Sequence, residues 1–123
     1  MPRKQCYFEM RTDMAILHDT SSLINGVRNG QVFDPAEDKT TVISVIEFPK
    51  ILSKEIGILF PKSTTYELAI SLAKKLLQVG TPVKATDLII AAIGIEKQLP
   101  LQSDDKHFEM IKHVDSRLTL IPL

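Results

Sequence analysis

The sequence has a single cysteine, Cys6, and no tryptophan. One thiol excludes an internal disulfide framework and any multi-cysteine zinc site, and it agrees with a reducing compartment. Excess charge of either sign is also missing, with 15 Lys+Arg against 15 Asp+Glu. That excludes a strongly basic nucleic-acid coat and an acidic tail protein, so any nucleic-acid contact must come from a local patch. Long apolar runs are absent. The longest is Leu88 to Ile95, which includes Gly94, whereas a membrane span needs roughly 20 apolar residues. Met1-Pro-Arg-Lys-Gln-Cys6 carries charge but no apolar signal core. These absences predict a soluble, cytoplasmic protein with no membrane segment. What remains is 123 residues, 44% of them hydrophobic, enough for one domain with a core of its own.

Residues 1–13 show no periodicity and read as an extension ahead of a domain spanning 14–123. Met14-Ala-Ile-Leu17 is a short apolar run that suits a strand buried on both faces. Asp19-Thr-Ser-Ser22 is helix-start chemistry. A short helix follows, with Gly30 near its end. Gln31 to Lys39, with Asp34-Pro35, reads as a loop. Thr41-Val-Ile43 reads as a second strand. Ser44-Val-Ile-Glu47 has capping-box spacing, and Pro49 then interrupts the helix. Ile58-Leu-Phe60 is a weak strand between Gly57 and Pro61. Thr64-Thr-Tyr-Glu67 has capping-box spacing again and opens the clearest helix, with Leu68, Ala69, Leu72, Ala73, Leu76 and Leu77 on one stripe. Gly80 and Pro82 end it. Leu88 to Ile95 is apolar all round and reads as a buried central helix. Leu99 to Gln102 is a strand, His107 to His113 a short helix, and Leu118 to Ile121 a closing strand. Strands alternating with helices predict an α/β protein of three layers, α/β/α, around a central parallel sheet.

In such sheets ligands sit beyond the carboxyl ends of the strands. The residues at those junctions are acids: Asp19 after the first strand, Glu47 after the second, Asp87 ahead of the buried helix, and Asp105 after the strand near residue 101. Each alone also reads as a helix cap or capping-box acid. Together, four carboxylates in one pocket repel one another and call for a cation. Oxygen ligands without a cysteine or histidine cluster select hard ions such as Mg²⁺ or Mn²⁺. An ion of that kind suits metal-dependent phosphodiester or phosphomonoester chemistry. His18 adjoins Asp19 but faces the other side of its strand and reads as a core histidine. His107 and His113 read as solvated positions on a surface helix.

The same segments resemble the PIN-domain nucleases, most closely the VapC-type toxins of VapBC toxin–antitoxin pairs. The likeness runs from about Met14 to Leu123. It rests on Leu17-His-Asp19-Thr-Ser-Ser-Leu-Ile24, on Ser44-Val-Ile-Glu47, on Gly80-Thr-Pro-Val-Lys-Ala-Thr-Asp87-Leu-Ile-Ile-Ala-Ala92, and on Leu99-Pro-Leu-Gln-Ser103-Asp104-Asp105-Lys-His-Phe108. The resemblance implies a PIN-like fold and an acidic quartet of Asp19, Glu47, Asp87 and Asp105 that binds Mg²⁺ or Mn²⁺. Ser103 would take the place of a supporting hydroxyl, with Thr20 and Ser21 as weaker candidates. It further implies an RNA substrate, an antitoxin partner and a homodimer. The chain departs from the pattern at Ser103, where Thr is usual, and at His107, where a second Asp is usual. The stretch from Asp19 to Glu47 is short for the family, and Asp104 beside Asp105 leaves two residues for the fourth acid. Arg28, Lys50, Lys54 and Lys84 are candidate phosphate contacts.

Two other doubly wound chemistries fit less well. A phosphorelay receiver domain needs an acid beside Asp19 and a mid-chain Asp after an apolar strand. A haloacid-dehalogenase-type phosphatase needs Asp two residues after the first, where this sequence has Ser21. A housekeeping PIN nuclease that processes RNA, or a PIN module that binds without cutting, keeps the fold and changes the role.

Overall fold

Three consecutive residues of the first strand are buried, and their side chains alternate between two cores. The strand is β1, Ile16–His18. Leu17 packs into the larger cluster with Leu72, Leu76, Ile90, Ile93, Leu101 and Phe108. His18 faces the other way and meets Phe33 edge-on, at a centroid distance of 5.5 Å. Phe33 belongs to a smaller cluster with Leu23 and Ile51. Two-sided burial is what a parallel sheet covered by helices requires, and the continuous apolar pattern of this strand follows from it.

The computed structural model describes residues 15–123. The extension read over residues 1–13, and Met14 at the head of the first strand, lie outside the described residues. After β1 come α1 (Thr20–Arg28), β2 (Asp38–Thr41), α2 (Val42–Glu47), a 3-10 turn (Pro49–Ser53), β3 (Gly57–Leu59), α3 (Ser63–Gln78), α4 (Ala85–Lys97), β4 (Leu101–Gln102), α5 (Lys106–Val114) and β5 (Leu120–Ile121). The five strands form one sheet in the order β3-β2-β1-β4-β5, with every pairing parallel. This is the three-layer α/β/α arrangement expected from the sequence. The order reverses between β1 and β4. His18 pairs with Gln102 there, so the residues just after these two strands meet at the crevice where such sheets bind ligands.

The second strand differs from its expected position. It runs over Asp38–Thr41, and Val42 and Ile43 are already helical. The cause is Thr41: its backbone is extended, and its Oγ1 accepts the Ser44 N–H at 3.1 Å. Thr41, not Ser44, therefore caps α2, and Glu47 becomes the helix's last residue instead of its capping-box acid. Ser44 is fully buried. Asp38, expected in a loop, is buried too, with Oδ1 2.8 Å from His18 Nε2. His18 Nδ1 lies 2.7 Å from Ser22 Oγ. His18 is thus a fully buried structural histidine, as its place in the strand implied.

Helix α3 also begins earlier than its apparent capping box. Lys62 is the cap, and Thr65 Oγ1 accepts the Lys62 N–H at 2.9 Å while donating to Glu96 of α4. The side chains α3 buries are Thr65, Ala69, Leu72 and Leu76, one every turn. Leu77 lies about 100° round the helix from Leu76 and is 72% exposed, so it leaves the stripe the sequence assigned it. The helix ends as expected. Gly80 has φ +77°, its N–H bonds to Leu77 O at 3.1 Å, and the Thr81 N–H bonds to Leu76 O at 3.0 Å. That pair of bonds is a Schellman closure, which favours glycine at the left-handed position. Helix α4 is buried along Leu88 and from Ile90 to Ile95. A Cβ on its Gly94 would sit 3.4 Å from Leu17 Cδ2, so the helix lies close over β1. Among the described residues, no helix is long and apolar enough to cross a membrane.

Candidate functional site

Asp19 follows β1 and caps α1. Its Oδ1 accepts the Ser22 N–H at 2.8 Å and lies 2.8 Å from Ser21 Oγ. Its Oδ2 accepts from Ser103 Oγ at 2.5 Å. Ser103 follows β4, and its oxygen also accepts the Asp105 N–H at 2.9 Å. One hydroxyl thereby ties the two strand ends at the reversal point of the sheet. Asp105 caps α5 by accepting the His107 N–H at 2.9 Å. Two of the four acids are therefore helix caps and also stand at the crevice.

Asp87 is not a cap. It lies in the first turn of α4, where Lys84 is the capping residue. Its side chain is 8% exposed. Glu47 approaches from the end of α2, where Thr20 Oγ1 donates to its Oε1 at 2.5 Å. The same Thr20 oxygen is 3.0 Å from Ser44 Oγ. Thr20 has one hydrogen, and the carboxylate is the stronger acceptor, so the buried Ser44 hydroxyl donates to Thr20 in turn.

Asp19, Glu47, Asp87 and Asp105 line one cleft of about 370 Å³ together with Thr20, Ser21, Ile24, Lys84 and Ile90. Ser103 does not line it but holds Asp19 from behind. Asp104 does not line it either, which makes Asp105 the fourth acid of the cleft. Lys84 does line it, while Arg28, Lys50 and Lys54 do not. A larger hollow of about 550 Å³ lies beside α5, lined by Val79, Thr81, Lys106, Glu109, Met110 and His113. It gathers no comparable set of acids.

Charge in the cleft is poorly compensated. Burial pushes the Asp19 carboxyl above its ordinary value despite hydrogen bonds from Ser103, Ser22 and Ser21, and the negative charge of Asp104 adds to the rise. Burial also pushes Asp87 up, and nearby Asp105 adds to it, against the pull of Lys84 and His107. Two carboxyls whose charged forms are disfavoured by burial favour a cation beside them. The donor set fits a divalent ion. Asp87, Asp105 and His107 each offer one ligand atom, and these atoms lie within 4.8 Å of one another.

The sequence predicts a solvated surface position for His107, but its ring turns toward two of the acids. Its ring is 46% exposed, but Nδ1 is 3.2 Å from Asp87 Oδ2 and 3.2 Å from Asp105 Oδ1. The signal was its position two residues after a capping acid, in the first turn of α5, where the helix start turns a side chain toward the crevice. His113 is exposed and does not line the cleft.

No family model matches this sequence, and neither does any curated protein. Solved structures do match in shape. A chain of VapBC2 from Rickettsia felis, in a complex with a DNA fragment of its promoter, superposes with a TM-score of 0.70 at 15% identity, covering 89% of this chain and 98% of that one. A chain of VapBC-1 from nontypeable Haemophilus influenzae gives 0.68 at 19%, with the same coverage. VapBC-5 from Mycobacterium tuberculosis, of the VapBC family of toxin–antitoxin systems, gives 0.64 at 19%, covering 89% and 97%. Identity this low speaks to architecture alone, and the architecture agrees over nearly all of each chain: this protein has the PIN-type α/β/α fold found in VapBC toxin–antitoxin structures.

Proposed function

We propose that this chain is a metal-dependent endoribonuclease, a VapC-type toxin paired with an antitoxin, and that it hydrolyses RNA phosphodiester bonds in the cytoplasm. The observation that carries the reading is the convergence of Asp19, Glu47, Asp87 and Asp105 on one cleft at the carboxyl edge of the sheet. These residues are distant in sequence, and mutual repulsion makes their meeting costly unless a cation is bound there.

In this reading Asp19, Asp87, Glu47 and Asp105 hold Mg²⁺ or Mn²⁺. The bound ion supplies Lewis acidity, which activates water and offsets charge on the phosphate oxygens. The chain's own residues set the geometry. Ser21 and Ser103 hold the Asp19 carboxylate from two sides. Thr20 fixes Glu47 at the rim. Lys84, on the wall of the cleft, is placed to meet the phosphate of an entering strand.

An antitoxin partner is supported by the fold shared with chains of VapBC complexes. A homodimer is supported by Tyr66, Ile70 and Leu77, exposed by 48%, 62% and 72% and spaced to share one face of α3.

Asp19→Asn and Asp87→Asn preserve shape and remove one charge each. Each should abolish Mg²⁺- or Mn²⁺-dependent cleavage of RNA while leaving circular dichroism unchanged. Full cleavage by both variants ends the assignment. A wild type that binds RNA and never cuts it points instead to a binding module of the same fold.

A further inference from the structure

Beside the cleft, one imidazole nitrogen approaches two of its acids. His107 Nδ1 is 3.2 Å from an oxygen of Asp87 and 3.2 Å from one of Asp105. The three donors lie within 4.8 Å of one another, a span that one ion can bridge. Asp105 accepts the His107 N–H at the start of α5, so a carboxylate and a ring two residues apart on one helix start both stand beside Asp87. At 46% exposure the ring remains open to an ion arriving from solvent.

We propose that His107 Nδ1 is a metal ligand, which makes this a mixed oxygen–nitrogen site that takes a first-row divalent transition ion in preference to Mg²⁺. The inference rests on the metal-dependent reading above and narrows which ion serves it. A set made only of carboxylates and water suits Mg²⁺, an ion that gives up its waters reluctantly and prefers oxygen. An imidazole nitrogen shifts preference toward transition ions, whose affinities for nitrogen donors rise along the series. The pattern of acids leaves Mg²⁺ and Mn²⁺ both open, and His107 is the residue that chooses between them.

The test uses the full chain and the metals alone. MnCl₂ and MgCl₂ are titrated separately by calorimetry into wild type, His107→Ala and His107→Asp. The Mn²⁺-loaded proteins are then examined by pulsed electron paramagnetic resonance for nitrogen coupled to the ion. Wild type should bind Mn²⁺ more tightly than Mg²⁺ and show a coupled nitrogen. His107→Ala should lose the nitrogen signal and weaken Mn²⁺ by at least the roughly tenfold that loss of even an outer partner costs a metal site. His107→Asp should lose the signal, keep binding, and move the preference back toward Mg²⁺. If wild type binds Mn²⁺ without a coupled nitrogen, or His107→Asp leaves the Mn²⁺-to-Mg²⁺ ratio unchanged, His107 is a hydrogen-bond partner only. That result overturns this proposal and leaves the nuclease reading standing. If wild type binds neither ion, both fall.

Discussion

Ser103→Ala removes one oxygen and should be felt at two strand ends. The hydroxyl donates to Asp19 Oδ2 at 2.5 Å and accepts the Asp105 N–H at 2.9 Å. A hydrogen bond to a charged acceptor contributes about 1.5–3 kcal/mol. Ser103 is half-buried, so water can take over part of the Asp105 side. The expected loss is about 2 kcal/mol at pH 7, or about 8 °C in Tm at about 4 °C per kcal/mol. The loss should depend on pH. The Ser103 bond is the largest influence holding the Asp19 carboxyl down against burial. Without it the folded protein's Asp19 rises further above the ordinary 3.8, while the unfolded chain's does not change. The folded form then prefers the protonated acid. The penalty is fully present above the variant's raised folded value and shrinks as the pH falls through the wild type's own raised value, below which Asp19 is protonated in both folded proteins. Urea unfolding at pH 7 and pH 4, with chelator present, measures this. Ser103→Thr keeps the hydroxyl and should stay within about 0.5 kcal/mol of wild type, the range of a neutral substitution. A loss under about 0.5 kcal/mol for Ser103→Ala at pH 7, or an equal loss at both pH values, refutes the argument.

The other predictions concern a buried charge and a turn. Asp87→Asn should stabilise the chelator-treated protein at pH 7 by on the order of 1 kcal/mol, the usual size of a single-site effect. Burial holds the folded Asp87 pKa above 3.8, so the wild type gains stability as the pH falls through that raised value toward 3.8. The advantage of Asn should fade over the same interval. Thermal melts from pH 7 to pH 4 decide it, and a lower Tm for Asp87→Asn at pH 7 contradicts it. Gly80→Ala meets no atom within 4 Å of its new Cβ, so its cost is backbone strain alone at φ +77°. About 1 kcal/mol is expected in urea unfolding, and no loss would mean the α3 terminus rearranges freely.

Element order and sheet direction were legible because the signals are local. Leu88 to Ile95 could only be buried, and Gly80 could only end a helix. Boundaries were less legible where a side chain chooses between backbone partners. Val42 and Ile43 favour strands by branching, yet Thr41 takes the Ser44 N–H with its hydroxyl and starts the helix beneath them. Ser44-x-x-Glu47 looked like a capping box, but Ser44 turns inward to Thr20 and Glu47 ends the helix. Leu77 fitted a stripe by count alone, and the axis of that stripe is set by α4, which the local sequence cannot see.

The acids were readable as a set because the carboxyl edge of a parallel sheet collects whatever follows each strand. Weighing cap against site, one residue at a time, turns out to be the wrong division for two of them. Asp19 caps α1 with Oδ1 and meets Ser103 with Oδ2, and Asp105 caps α5 while facing His107. In Asp19, fixing Oδ1 on the helix start fixes the direction of Oδ2; in Asp105 the capping Oδ1 itself faces the His107 ring. Asp87 is the discriminating residue. It stands inside the first turn of α4 with Lys84 already at the cap, and burial makes its charge unfavourable there. Lys84 and His107 offset only part of that cost, and the gain expected for Asp87→Asn measures how strongly the chelator-treated fold disfavours the charge. If a divalent ion reverses that order, stabilising wild type by mass action but not Asp87→Asn, then the carboxylate is there for the ion.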